Sequence, residues 1–122
     1  MLAGILFPFG WLAHFSTAYA AAFDRAFATQ ASHVVMHAAL FAGLALCVLE
    51  ALSKRPRRQA VISALAVIAC AAVGQEALQA ISVGILRVGD TLFDLCVDMT
   101  SGGSAAMLAC YLTARHQMKP IG

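Results

Sequence analysis

The ionisable residues of this chain are few, and their spacing is the kind that can support chemistry. Asp90, Asp94 and Asp98 recur at every fourth position of RVGDTLFDLCVDMTSGG (87–103), beside Phe93, Leu95 and Val97. Glu76 and Gln79 stand three apart in GQEALQ, and His33 and His37 four apart in SHVVMH. Residues at i, i+4 and i+8 of an α-helix drift by only about 40° per step, so each set lies on one helical face. Carboxylates gathered on such faces can serve as general acids and bases or bind a cation, while Arg87 can take an anionic group such as phosphate. His33 and His37 share a face and could join a carboxylate as metal ligands. The favoured reading assigns no metal: it has His37 hydrogen-bond to Glu76 or Asp94 and places His33 at the membrane interface. A purely structural alternative is a buried ion-pair network that fixes helix register.

The surroundings of these groups are apolar. Hydrophobic residues make up 61% of the 122 positions and charged residues 11%, with a mean hydropathy of +0.82. A soluble domain carries about a quarter charged residues, so the composition predicts an integral membrane protein forming one domain over residues 1–122. The net charge of +2 and the lack of an extended basic face argue against a nucleic-acid partner. Cys47, Cys70, Cys96 and Cys110 all lie in apolar runs without a CxxC spacing. They read as small hydrophobes packed between helices rather than as a disulfide or metal site.

Spanning about 30 Å of hydrocarbon takes roughly 20 helical residues. Four stretches qualify, at about 2–23, 32–52, 60–82 and 92–113. The first contains His14, expected to pack or to bond another helix, with Trp11 and Tyr19 as interface residues. It ends in STAYAAAF, which imitates a signal-peptidase site, but no Lys or Arg precedes it as in a secretory signal. It therefore reads as a membrane helix. Run length and the absence of alternation exclude barrel strands. The predicted fold is all-α, a four-helix transmembrane bundle. Lys54, Arg55, Arg57 and Arg58 follow the second span, and Arg115 and Lys119 follow the fourth. The positive-inside rule then puts both termini and the SKRPRR loop in the cytoplasm. Contact of that loop with anionic lipid is a secondary expectation. SGGSAAMLAC gives the fourth span a small-residue face for close helix approach.

With that topology the intramembrane polarity falls in the outer half of the bilayer. Glu76 lies about 9 Å from the outer end of its span, with Gln79 one turn nearer the surface. Asp94 and Asp98 occupy successive outer turns of the last span, and Asp90 lies just before it. A charge in hydrocarbon costs from about 2.5 kcal/mol upward, so such groups face the bundle interior and mark functional sites. Carboxylates this close repel one another unless some are protonated or a cation neutralises them, and Arg87 is the nearest candidate. The expected site is a wet, outward-facing pocket built by Glu76, Gln79, Arg87, Asp90, Asp94 and Asp98, with His37 nearby.

The order of these residues resembles the VanZ-like family of small bacterial membrane proteins. That pattern runs His, then Glu-x-x-Gln on a later helix, an Arg in the next loop, and Asp-x-x-x-Asn-x-x-x-Gly on the last helix. His37, Glu76, Gln79, Arg87, Asp94 and Gly102 stand at the matching places. The resemblance covers residues 32–113. Asp98 stands where the family has Asn, Val34 where a Lys is common and Phe41 where a Tyr is common. One cation lost and one anion gained point to an altered or abandoned activity.

The resemblance implies a bacterial inner-membrane protein of the cell envelope that binds or acts on a lipid-linked or cell-wall intermediate. It also carries an association with resistance to the glycopeptide teicoplanin. Glu76, Asp94 and Asp98 would be the catalytic candidates, and Arg87, Gln79, His37 and Asp90 the substrate-binding ones, with no cofactor specified. Membrane lipids are the expected partners. A non-catalytic accessory subunit of a larger membrane complex is the competing expectation, and a small transporter or proton pathway ranks last.

Overall fold

The computed structural model describes residues 15–26, 28–84 and 87–117, and every element in them is helical. Among the described residues four helices follow one another: α1 (Thr17–Ala26), α2 (Gln30–Ala51), α3 (Arg57–Val83) and α4 (Val88–Gln117). Of these, α2, α3 and α4 are each long and apolar enough to cross a membrane. They are the spans of a multi-pass membrane protein. Trp11 and His14, and residues 2–14 of the first expected span, lie outside the described residues. The described part of that span is helical from Thr17 and continues past residue 23 to Ala26.

The helix ends follow local chemistry that a hydropathy run does not register. α2 starts at Gln30 because Thr29 and Ser32 form a reciprocal capping box, with the Ser32 N–H donating to Thr29 Oγ1 at 3.1 Å. Pro56 stands at the N-cap of α3 with φ −52°, where its missing N–H forfeits no helical bond. Gly84 closes α3 in the left-handed region at φ 71°, its N–H donating to the Ala80 carbonyl. α4 begins at Val88, four residues before the apolar run, and Asp90 lies in its first turn. A carboxylate there is favoured by the helix dipole. The expected loop over 83–91 is correspondingly shorter.

Each spanning helix buries one row at four-residue spacing. On α2 the buried row is His37, Phe41 and Ala45, with Leu44 beside it; on α3 it is Ala60, Ala64, Ile68, Ala72 and Glu76; on α4 it is Asp94, Asp98, Gly102 and Ala106. α4 packs most extensively on α2, and both pack on α3. Small side chains set the spacing. A Cβ on Gly102 would come within 2.9 Å of Ile68 Cδ1 and 3.2 Å of its Cγ1 and Cγ2, so glycine is what lets α4 approach α3 there. The opposite faces carry exposed Ile62, Val73, Leu92, Met107 and Tyr111, as expected where hydrocarbon replaces water as solvent.

The cysteines depart from expectation. Cys47, Cys70 and Cys96 are exposed and Cys110 is half-buried, none of the four in a disulfide. Cys70 and Cys96 sit on the outward faces, because the buried rows are taken by alanine, glycine and the polar residues, whereas Cys47 and Cys110 line a hollow between α2 and α4.

Candidate functional site

α2 and α4 run parallel, with α3 antiparallel between them, so two i, i+4 pairs on α2 and α4 stay in register. His33 Nε2 donates to Asp94 Oδ2 at 3.2 Å, and one turn deeper His37 Nδ1 donates to Asp98 Oδ1 at 2.8 Å. Both pairs are separated by 61 residues in the chain. The result is a two-rung ladder of imidazole and carboxylate. Its rings lie 4.4 Å apart between centroids, and the His37 ring stacks over Phe41 at 6.4 Å. The outer rung is part-exposed, with a 32% exposed His33 side chain against 10% for Asp94. The inner rung is closed, at 5% for His37 and 0% for Asp98.

α3 supplies the third wall. Gln75 Nε2 donates to His37 Nε2 at 3.5 Å. That assignment is self-consistent: a carboxylate only accepts, so Nδ1 carries the ring proton toward Asp98 and Nε2 keeps its lone pair. Glu76 is buried and receives a hydrogen bond from the Thr91 hydroxyl on α4. Among the described residues Gln75 Oε1, Glu76 Oε1 and Asp98 Oδ2 are buried without a hydrogen-bond partner. Buried polar atoms are normally satisfied. Three orphan acceptors within one turn of the ladder mark a place where stability is not the only requirement.

A cavity of about 280 Å³ opens beside the ladder, lined by Glu76, Gln79, Ala80, Arg87, Asp90, Thr91 and Asp94. Glu76 and Asp94 form its buried floor, whereas Gln79, Arg87 and Asp90 are exposed at its mouth. Arg87 Nη1 lies 3.8 Å from Asp90 Oδ2, a loose pair with side chains 76% and 72% exposed.

Several site expectations change in detail. His37 pairs with Asp98 instead of Glu76 or Asp94, because parallel α2 and α4 put position 98 opposite position 37. His33 is also a member of the cluster, since the same register carries Asp94 to it. Arg87 meets Asp90 at the mouth and leaves the neutralising of Asp94 to an imidazole. Asp90 continues the Asp94–Asp98 row but lies one turn beyond the packed core. Gln75 and Thr91 were not anticipated. The sequence did hold a signal for the ladder: two histidines four apart and two aspartates four apart, on helices that an even number of crossings makes parallel.

One ring nitrogen from each of His33 and His37 and one oxygen of Asp94 lie within 4.8 Å of one another. The geometry thus offers proton exchange along two hydrogen-bonded pairs, an anion-binding mouth at Arg87, and a set of donor atoms for a cation. No protein-family model, curated protein or solved structure matches the chain.

Proposed function

We propose that this chain is a VanZ-like protein of the bacterial inner membrane that binds, or acts on, a lipid-linked or cell-wall intermediate. The observation that carries the reading is the cavity whose mouth holds Arg87 and whose floor holds Glu76 and Asp94. A guanidinium at the rim suits an anionic headgroup, in which a phosphate accepts charge-assisted hydrogen bonds. Gln79 and Asp90 add polar contacts at the rim, and His37 orders the carboxylates behind it. Glu76 and Asp94, on the cavity floor, then handle a proton at the bound group as general acid or base, with Asp98 acting behind them through His37. With the SKRPRR loop and both termini in the cytoplasm, this mouth opens on the periplasmic side. That is where lipid-linked wall intermediates are used, and where altered handling changes glycopeptide susceptibility.

The test is direct. The full chain in nanodiscs, titrated with a polyprenyl phosphate, should bind it, and R87A should weaken that binding by about 10-fold or more, the worth of a hydrogen bond to a charged group. E76Q and D94N should retain insertion and change the susceptibility phenotype. Unaltered binding and wild-type susceptibility in all three correctly inserted variants would overturn the reading. A large protein partner that co-purifies in fixed stoichiometry from mild detergent would instead support an accessory subunit.

A further inference from the structure

The two-rung ladder and the headgroup cavity share only Asp94, and the ladder has a chemistry of its own. We propose that His33, His37 and Asp94 form a binding site for a divalent ion of the zinc class, with Asp98 orienting His37 from behind.

Three observations carry it. First, the donor set is two imidazoles and one carboxylate, drawn from two helices, with ligand atoms within 4.8 Å of one another. That combination is one of the three-ligand sets that hold zinc and leave a fourth position open. Second, His33 Nε2 and Asp94 Oδ2 are 3.2 Å apart. Two ligands at about 2.0–2.1 Å from a tetrahedral ion are separated by about 3.3 Å, so this spacing already fits one edge of the coordination tetrahedron. Third, His37 Nδ1 is held by Asp98 Oδ1 at 2.8 Å, with the Asp98 side chain fully buried. Metal-ligating histidines characteristically donate their other ring N–H to a carboxylate in this way, which fixes the tautomer and leaves Nε2 to the ion once the long 3.5 Å contact with Gln75 Nε2 gives way.

Charge and orphan atoms agree with the placement. The ion takes the place of the Nε2 proton between His33 and Asp94; exchange with solvent through the part-exposed outer rung leaves His33 a proton on Nδ1, so it binds as a neutral imidazole. Its positive charge offsets the buried carboxylates Glu76, Asp94 and Asp98, which otherwise repel. The orphaned Glu76 Oε1 and Gln75 Oε1 give a water in the open fourth position acceptors to donate to.

The experiment uses the full chain, purified through a tag without histidine, stripped with a chelator and placed in nanodiscs. Zinc is titrated against a chromophoric chelator, and cobalt is added in parallel to read ligand-field bands. One zinc per chain and the visible bands of a tetrahedral cobalt site are expected. H33A and D94A should each weaken zinc by about 100-fold or more. D98N, which removes an orienting partner and no ligand, should cost about 10–100-fold. R87A should leave zinc affinity unchanged, which separates this site from the headgroup cavity. A variant with all four cysteines changed to serine should bind as the parent does. No stoichiometric zinc in the folded parent, affinity indifferent to H33A and D94A, or loss of binding in the cysteine-free variant would each overturn the proposal. Loss of polyprenyl phosphate binding in R87A, with zinc retained, would leave it standing.

Discussion

The buried rows of α2, α3 and α4 change character halfway along. At one end they hold His37, Glu76, Asp94 and Asp98, with part-exposed His33 beside them; at the other Phe41, Leu44, Ala45, Ala64, Ile68 and Ala106. The same three helices and the same four-residue spacing serve both ends. In the apolar half, association comes from close packing, because hydrocarbon tails are as apolar as the side chains and burial gains little. Small residues let the backbones approach, and Gly102 against Ile68 is the tightest example. In the polar half the helices are tied by side-chain hydrogen bonds around a cavity floored by Glu76 and Asp94; the hollow of about 690 Å³ at the far end of the bundle, beyond the apolar rows, carries Glu50, Arg55 and Arg57 at its rim instead. The contrast separates what holds the bundle together from what the bundle holds.

The comparison can be broken most severely at the closed rung. H37A or D98A alone strands a buried partner and should cost about 3–5 kcal/mol, read as a shift in unfolding by denaturing detergent. The double change to leucine, H37L/D98L, should recover most of that loss, since it leaves neither group unpaired. Failure to recover would mean that the pair is also needed for register.

In the apolar half, G102A should cost about 1–3 kcal/mol, the usual range for overpacking, in the same measurement. Adding I68V, which removes the Cδ1 atom met at 2.9 Å, should return part of it. If G102A is silent, the close approach of α3 and α4 is not what stabilises that end.

The outer rung is weaker because it is partly exposed. H33A should destabilise by about 1 kcal/mol, the net worth of a single hydrogen bond, clearly less than H37A. Equal effects would contradict the gradient of exposure from His33 to His37. Smallest of all, D90N at the exposed Arg87 pair should shift stability by no more than about 0.5 kcal/mol. A larger shift would move the mouth of the cavity from the ligand-facing side of the comparison to the structural side.

Much of this was legible residue by residue. The spans containing Phe41, Ile68 and Ala106 follow from apolar runs of sufficient length, and the inward facing of Glu76, Asp94 and Asp98 follows from the cost of charge in hydrocarbon. The small-residue face at Gly102 was legible for the same kind of reason. Helix ends were not, because capping by Thr29 and Ser32 and the dipole-favoured Asp90 extend helices past their hydropathy. The cysteines misled: apolar character marks a residue for the membrane, and in a membrane apolar residues face outward as readily as inward. Partner choice was the hardest part. A common depth in the bilayer pointed His37 at Glu76 or Asp94, whereas the register of two helices 61 residues apart paired it with Asp98 and gave Asp94 to His33.

By itself, then, the sequence determined the solvent of this protein, its three described long apolar helices and the faces on which charge could be tolerated, because these depend on one helix at a time. The tertiary structure decided that His33 meets Asp94 and His37 meets Asp98, that Arg87 stays at the rim, and that three acceptors are left open beside them. Those facts depend on the relative register of helices, which is set by how closely small residues let the backbones approach and is written in no single segment.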